Sequence, residues 1–502
     1  MLICLNNMKY SNNIRLRFAP SPTGFLHIGS LRTALFNYVI AKKLGGKLIL
    51  RIEDTDQKRE VEGATEKLIN ILDWIGIKFD EGSHIGGDFG PYTQSQRQDV
   101  YKKYSDKLLK NNKAYYCFCT SERLQKMRED QQAKKLAPRY DKKCRNLNEK
   151  EINQKIKSGA KFVIRQKMPL DGEIKVFDEL RGEIKFQAKD LEDHVLIKSN
   201  NIPTYQFASV VDDHLMEVSH VVRGDEWIAS FPKNVLLYQA FGWEIPKFIH
   251  TPLILNKEGG KLSKRQGDVT VENYKDQGYL PEALINFSAL LGWHPKDEKE
   301  ILSLNETIKK FNIKDIRASS AVFDPEKLDY LNGYYIRKMP LNKLTELCSP
   351  YLIKQTTESR QQTTEFIKKV ISLEQERMKK LSEIGELTEF FFVDKLQYEP
   401  ELLIWKKMSL EEVKNNLGKI YTLLEKIPKQ SWTNNSIQEA IMTYLQAKEL
   451  KTGEYLWPMR VALTGRKASP GPFDVAEVLG KEKSLERIDL SRNKLCNVPP
   501  QL

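Results

Sequence analysis

Ile14-Arg15-Leu16-Arg17-Phe18 alternates apolar and charged positions, the period-two pattern of a strand. It runs into the turn residues Pro20-Ser21-Pro22-Thr23-Gly24, and residues 31–41 then form a mostly apolar helix stopped near Gly45-Gly46. Lys47-Leu48-Ile49-Leu50-Arg51-Ile52 reads as a second strand of a parallel sheet. Helices are predicted over residues 61–75, closed by Gly76, and over 99–109 after a turn at 90–97. From 113 to 200 the pattern changes to a charged helix (121–135) and short strands (161–165, 182–186), read as an α+β insertion between the halves of a doubly wound sheet. The sheet is expected to resume with strands at 204–213, 219–227 and 250–255. Short helices follow at 281–291 and 326–331. Beyond Lys338 nearly everything is helical, with amphipathic segments at 363–392, 409–426 and 437–448.

Strand, tight turn and helix aim backbone N–H groups and a helix dipole at the space above the strand end, where an anion binds well. His27 lies where the chain enters the helix and can donate to a phosphate oxygen; its other reading is an N-capping histidine. Gly29 has no Cβ and lets a flat base approach the backbone. Glu53-Asp54-Thr55-Asp56 falls at the C-terminal end of the second strand, where ligands bind in open α/β sheets. The net charge of +13 over 502 residues suits a polyanionic partner. Six scattered cysteines (Cys4, Cys117, Cys119, Cys144, Cys348, Cys496) argue for a reducing compartment. With no signal peptide and no run of transmembrane length, a cytoplasmic protein is expected.

His27-Ile28-Gly29 and, far downstream, Lys261-Leu262-Ser263-Lys264-Arg265 together resemble the signature pair of class I aminoacyl-tRNA synthetases. Arg17 to Gly24, Arg51-Ile52-Glu53-Asp54-Thr55-Asp56 and Val210-Val211-Asp212-Asp213-His214 narrow the resemblance to bacterial-type glutamyl-tRNA synthetases, over about residues 14–488. The resemblance implies a Rossmann-type catalytic domain in two halves (14–112 and 201–255). It also implies an inserted acceptor-end-binding domain (113–200), a stem-contact domain carrying the Lys-Leu-Ser-Lys-Arg loop (256–337) and an all-helical anticodon-binding domain (338–488). ATP-dependent ligation of glutamate to tRNA through glutamyl-adenylate follows, with Mg²⁺ accompanying the triphosphate. The partner is tRNA for glutamate, with tRNA for glutamine left open, and the usual state is a monomer.

By the same resemblance His27 and Lys264 are catalytic. ATP is bound by His27, Gly29, Trp227, Lys261, Ser263, Lys264 and Arg265. Glutamate is held by Arg17, Ser21, Glu53, Tyr205 and Arg223. The residue types suit these roles, since arginine offers a bidentate fork to a carboxylate, and phosphoryl chemistry needs fixed donors and cations rather than a protein nucleophile. Some members of the family bind a structural zinc through Cys117, Cys119, Cys144 and a histidine where this chain has Asn146, so no metal is expected here. Residues 489–502, Asp-Leu-Ser-Arg-Asn-Lys-Leu-Cys-Asn-Val-Pro-Pro-Gln-Leu, have the spacing of one leucine-rich repeat. A single repeat cannot bury its apolar face, so a disordered tail is expected. A small-molecule adenylyltransferase shares the His-x-Gly feature but has no use for the insertion or the helical half.

Overall fold

The computed structural model describes residues 13–22, 24–56, 61–260, 262, 270–352 and 363–496. They form two compact units. One holds the described residues up to Lys275 with Leu280–Leu328; the other holds Asp276–Tyr279 with the described residues from Asp329 on.

The first unit contains β1 (Arg15–Phe18), β2 (Lys47–Leu50) and β3 (Glu81–Gly82), parallel and in that order. The helix Ile28–Lys43 returns the chain from β1 to β2 and buries Leu31, Leu35, Phe36, Val39 and Ile40. Gly46 lets the chain pass close to β1: a Cβ there would lie 2.3 Å from the Ile14 carbonyl oxygen. Along the chain follow β4 (Ala114–Cys117), β5 (Val163–Gln166), β6 (Glu173–Asp178), β7 (Gly182–Gln187), β8 (Val195–Ile197), β9 (His220–Gly224) and β10 (Lys247–Thr251). β9 lies beside β1, where the Ser219 N–H donates to the Arg15 carbonyl at 2.9 Å. β9 pairs in parallel with β10, and the order continues β10-β6-β7. The sheet order therefore reverses between β1 and β9. That reversal opens a crevice at the strands' carboxyl ends.

Two expectations change. Residues 204–213 are not a strand: Tyr205–Leu215 is an α-helix whose Phe207, Ala208, Val210 and Val211 are buried. A short apolar run carries no periodicity that separates a buried strand from a buried helix, and β-branched Val210-Val211 favour the wrong alternative. The insertion is also divided. β4, β5 and β8 make their own antiparallel sheet, whereas the β6–β7 hairpin extends the catalytic sheet through β10.

The second unit has only helices among its described residues, from Leu341–Cys348 through Thr364–Glu374, Leu410–Glu425, Asn434–Ala447, Thr452–Thr464 and Pro472–Leu479 to Lys481–Cys496. Val370, Leu417, Ile441, Met459, Val461 and Ile488 build its core. The tail expectation is overturned as far as the description reaches. Asp489–Cys496 continues the last helix, with Ile488, Ser491 and Leu495 inward and the Tyr398 and Ser491 hydroxyls 2.6 Å apart. Residues 497–502 lie outside the described residues.

Candidate active site

A cavity of about 710 Å³ occupies the crevice at the ends of β1 and β9. Arg17, Ser21, His27, Gly29, Glu53, Tyr205, Arg223 and Trp227 all line it. Residues from distant parts of the sequence thus meet at one site, each delivered by a strand end or helix start. Lys261, Ser263, Lys264 and Arg265, the downstream half of the signature, lie outside the described residues, as does Thr23. Leu262 is described and lines the same cavity.

The cavity floor is a buried ion network. Arg51, fully buried, reaches Asp213 Oδ1 at 2.7 Å and Glu53 Oε1 at 3.0 Å. Arg17 donates from Nε to the same Asp213 oxygen at 2.9 Å. Asp212 is held in turn by Arg97 at 2.7 Å, Tyr101 at 2.8 Å and Gln94 at 2.9 Å. Burial raises the Glu53 carboxyl to about 7, against the pull of Arg51 and Arg17. Asp213 stays below its ordinary value despite its burial, because Arg17 and Arg51 flank it. Glu53 is the carboxyl of this network that lines the cavity, and it can receive a cation once it is ionised. The sequence assigns no role to Arg51, Asp212, Asp213 or Arg97. Arg51, Asp212 and Asp213 stand inside the quoted motifs and Arg97 ends the turn at 90–97, but nothing in their spacing shows that they pair.

His27 caps the helix Ile28–Lys43. Its Nδ1 accepts the Gly29 N–H at 3.0 Å, so a neutral ring carries its proton on Nε2. The first-turn amides of Gly29, Ser30 and Leu31 all bond to His27, through Nδ1 or the carbonyl. The helix start therefore offers fewer open amides than the strand–turn–helix pattern implied, and His27 combines the capping reading with a place on the cavity wall. A Cβ on Gly29 would lie 3.3 Å from His27 Nδ1, so a side chain there would press on that cap.

On the opposite wall the Tyr205 and Trp227 rings are tilted at 34°, with centroids 4.4 Å apart. Arg223, at the end of β9, is 5% exposed and donates from Nε to His250 Nε2 at 3.0 Å. Its Nη2 meets no hydrogen-bond acceptor among the described residues. Buried donors are almost always satisfied. Arg223 lines the cavity with this buried donor unused, which suits it to a carboxylate ligand.

Residues 13–330 match the family described as tRNA synthetases class I (E and Q), catalytic domain, and residues 343–491 match an anticodon binding domain. The chain belongs to the class I tRNA synthetases for glutamate and glutamine. This synthetase is 46% identical to a glutamate–tRNA ligase of Clostridium botulinum (strain Hall) over 97% of its own length and 99% of the relative's. It is 45% identical to one of Clostridioides difficile (strain 630), over 96% of this chain and 100% of that one. A crystal structure of a glutamate tRNA ligase from Elizabethkingia meningosepticum CCUG26117 in complex with its amino acid superposes with a TM-score of 0.88 at 36% identity, covering 96% of this chain and 100% of that chain. The protein is accordingly an enzyme of protein biosynthesis, a ligase with a class I catalytic domain and a helical anticodon-binding domain. No helix among its described residues is long and apolar enough to cross a membrane.

Away from the cavity, the synthetase brings the sulfurs of Cys117, Cys119 and Cys144 within 4.8 Å of one another. The Tyr140 hydroxyl sits 3.2 Å from Cys117 Sγ and 3.6 Å from Cys119 Sγ. Asn146 does not leave the cluster with three donors, because Tyr140 stands as a fourth. The 3.6 Å between Cys119 and Cys144 sulfurs is close to the ~3.8 Å edge of a tetrahedron with Zn–S bonds of about 2.3 Å.

Proposed function

We propose that the protein ligates L-glutamate to tRNA in two steps, with the residues of the cavity in the following roles. A carboxylate oxygen of glutamate attacks the α-phosphorus of ATP, the bond to pyrophosphate breaks, and glutamyl-adenylate forms. The 2′-hydroxyl of the terminal adenosine of tRNA then attacks the acyl carbon and AMP leaves. Arg223 and Arg17 take the two carboxylates, with Tyr205 and Ser21 donating hydrogen bonds, and Glu53 takes the ammonium. His27 Nε2 and the backbone at Gly29 serve the phosphates from one side, with Trp227 beside the adenosine. Lys264, with Lys261, Ser263 and Arg265, is assigned the other side by its motif. Negative charge that builds on the α-phosphate in the transition state meets these fixed donors, so they lower the barrier rather than only hold substrate.

Mg²⁺ arrives with ATP. Such ions keep most of their coordination to phosphates and water and need one or two carboxylates; Glu53, Asp56 and Glu226 are the acidic residues of this cavity. The Cys117, Cys119, Cys144 and Tyr140 donor set would hold a structural zinc. It would clamp the insertion and take no part in the reaction. The enzyme acts as a cytoplasmic monomer on tRNA for glutamate.

The observation that carries this reading is the convergence of Arg17, Glu53, Tyr205 and Arg223 on the cavity that also exposes His27 and Gly29. Arg223→Ala removes a charged hydrogen-bond donor worth about 1.5–3 kcal/mol, and is expected to raise the glutamate KM about ten- to a hundredfold. The test is charging of total tRNA with labelled glutamate and with labelled glutamine. Glutamate alone should be transferred; transfer of glutamine in preference would overturn the assignment.

A further inference from the structure

Arg223 does not stand by itself. It pairs across the sheet with His250 in the parallel register of β9 and β10. An arginine Nε can only donate, so the 3.0 Å contact makes His250 Nε2 an acceptor and puts the ring proton on Nδ1. Nδ1 lies 2.8 Å from Asp178 Oδ2, which also accepts the His250 backbone N–H at 2.9 Å. The other oxygen of Asp178 accepts the Leu180 and Arg181 backbone N–H groups, both at 3.0 Å. Asp178 and His250 are fully buried. The His250 ring packs against Phe231 and Phe248, with centroids 4.8 and 6.0 Å away, and the Arg223 guanidinium lies 5.3 Å from the Phe248 ring.

Every partner of Asp178 named here is an N–H donor. The carboxylate must therefore accept throughout, and that fixes the tautomer of His250. A fixed tautomer presents a lone pair to Arg223, which fixes the plane of the guanidinium and leaves the buried Nη2 without a hydrogen-bond acceptor among the described residues. We propose that His250 and Asp178 are positioning residues for glutamate binding: the Asp178–His250–Arg223 chain pre-orients the arginine that receives one of the two carboxylates of glutamate. The proposal rests on the assignment of Arg223 to that carboxylate. Burial lowers the pKa of His250 against the pull of Asp178, in keeping with a neutral ring, since a protonated one would point an N–H at the Arg223 N–H. Asp178 comes from the β6–β7 hairpin, so the inserted segment completes the amino-acid site, which explains why that hairpin leaves the insertion and joins the catalytic sheet.

Two substitutions separate orientation from folding. His250→Asn keeps a short amide donor for Asp178 but cannot reach Arg223; His250→Gln places an amide oxygen where Nε2 was. Steady-state charging is measured for each at varied glutamate and varied ATP, with Arg223→Ala alongside and thermal melting as the check on fold. His250→Asn is expected to raise the glutamate KM about tenfold while the ATP KM stays within about twofold, and His250→Gln to recover most of the loss. A purely structural role would lower the rate at all substrates without that selective shift. If Arg223→Ala raises the glutamate KM and folded His250→Asn does not, the positioning role is overturned. If Arg223→Ala itself leaves the glutamate KM unchanged, the assignment of Arg223 fails first, and the relay with it.

Discussion

Glu53 is the residue whose electrostatics give the sharpest test. Its carboxyl is buried among Arg51, Arg17 and Asp213, and burial lifts it from an ordinary value of 4.5 to about 7. Only the ionised form can pair with the glutamate ammonium, so binding releases a proton wherever Glu53 is still protonated. With a pKa near 7 the ionised fraction is about one tenth at pH 6 and about nine tenths at pH 8. The glutamate KM should therefore fall about tenfold from pH 6 to pH 8. In the free protein the sign is opposite for stability: the same carboxyl costs stability as pH rises from 4.5 to about 7, because the folded state prefers the protonated form. The assay is initial-rate charging at saturating ATP and tRNA, repeated with Glu53→Gln. The amide does not titrate, so its KM should be higher and flat across the range. A wild-type KM that does not change between pH 6 and pH 8, or a Glu53→Gln profile with the same slope as wild type, would rule out Glu53 as the partner of the ammonium.

Other outcomes follow from the packing. Arg15 donates from both terminal nitrogens to Glu81 at 2.8 Å, and Tyr92 adds a 2.6 Å bond to the same carboxylate. Arg15→Ala removes two charged hydrogen bonds and leaves the Glu81 carboxylate to Tyr92 and to Lys47 at 3.1 Å, and should cost about 1.5–3 kcal/mol in urea unfolding. Those bonds, the Arg15 bond foremost, hold the Glu81 carboxyl down at about 2. Its stabilisation is present above pH 4.5 and should be lost as pH falls from 4.5 towards 2, visible in acid unfolding of wild type and reduced in Glu81→Gln. Metal analysis of protein purified without chelator should find about one zinc per chain, and Cys144→Ser should remove it; a metal-free protein with full activity would restore the three-thiol reading. In the helical unit, Leu417→Ala removes a fully buried side chain and should destabilise that unit by about 2–5 kcal/mol in thermal melting.

The cavity residues are legible in the sequence through the motifs that carry the family resemblance, and their residue types agree with it. A carboxylate needs arginine and an ammonium needs glutamate, and both stand in short motifs at strand ends. The supporting shell is not legible. Nothing in the sequence places Asp178 beside His250, 72 residues away, because the contact depends on which strand of the insertion pairs with β10. Residues 204–213 mislead because their burial is nearly complete, which removes the alternation that separates strand from helix. At 489–496 the leucine spacing misleads. The buried face is Ile488, Ser491 and Leu495, a helical i, i+3, i+7 set in which serine takes an inward position, while Leu490 is 41% exposed. His27 shows the reverse case: the capping expected of it is seen in the bond from the Gly29 N–H, and the same side chain lines the cavity.

The most direct measurement is ATP–pyrophosphate exchange with the full-length protein, with and without glutamate and total tRNA. The account predicts exchange that requires glutamate, is not supported by glutamine and is abolished or strongly reduced by Arg223→Ala. Folded protein that gives no glutamate-dependent exchange, even with tRNA present, would contradict it.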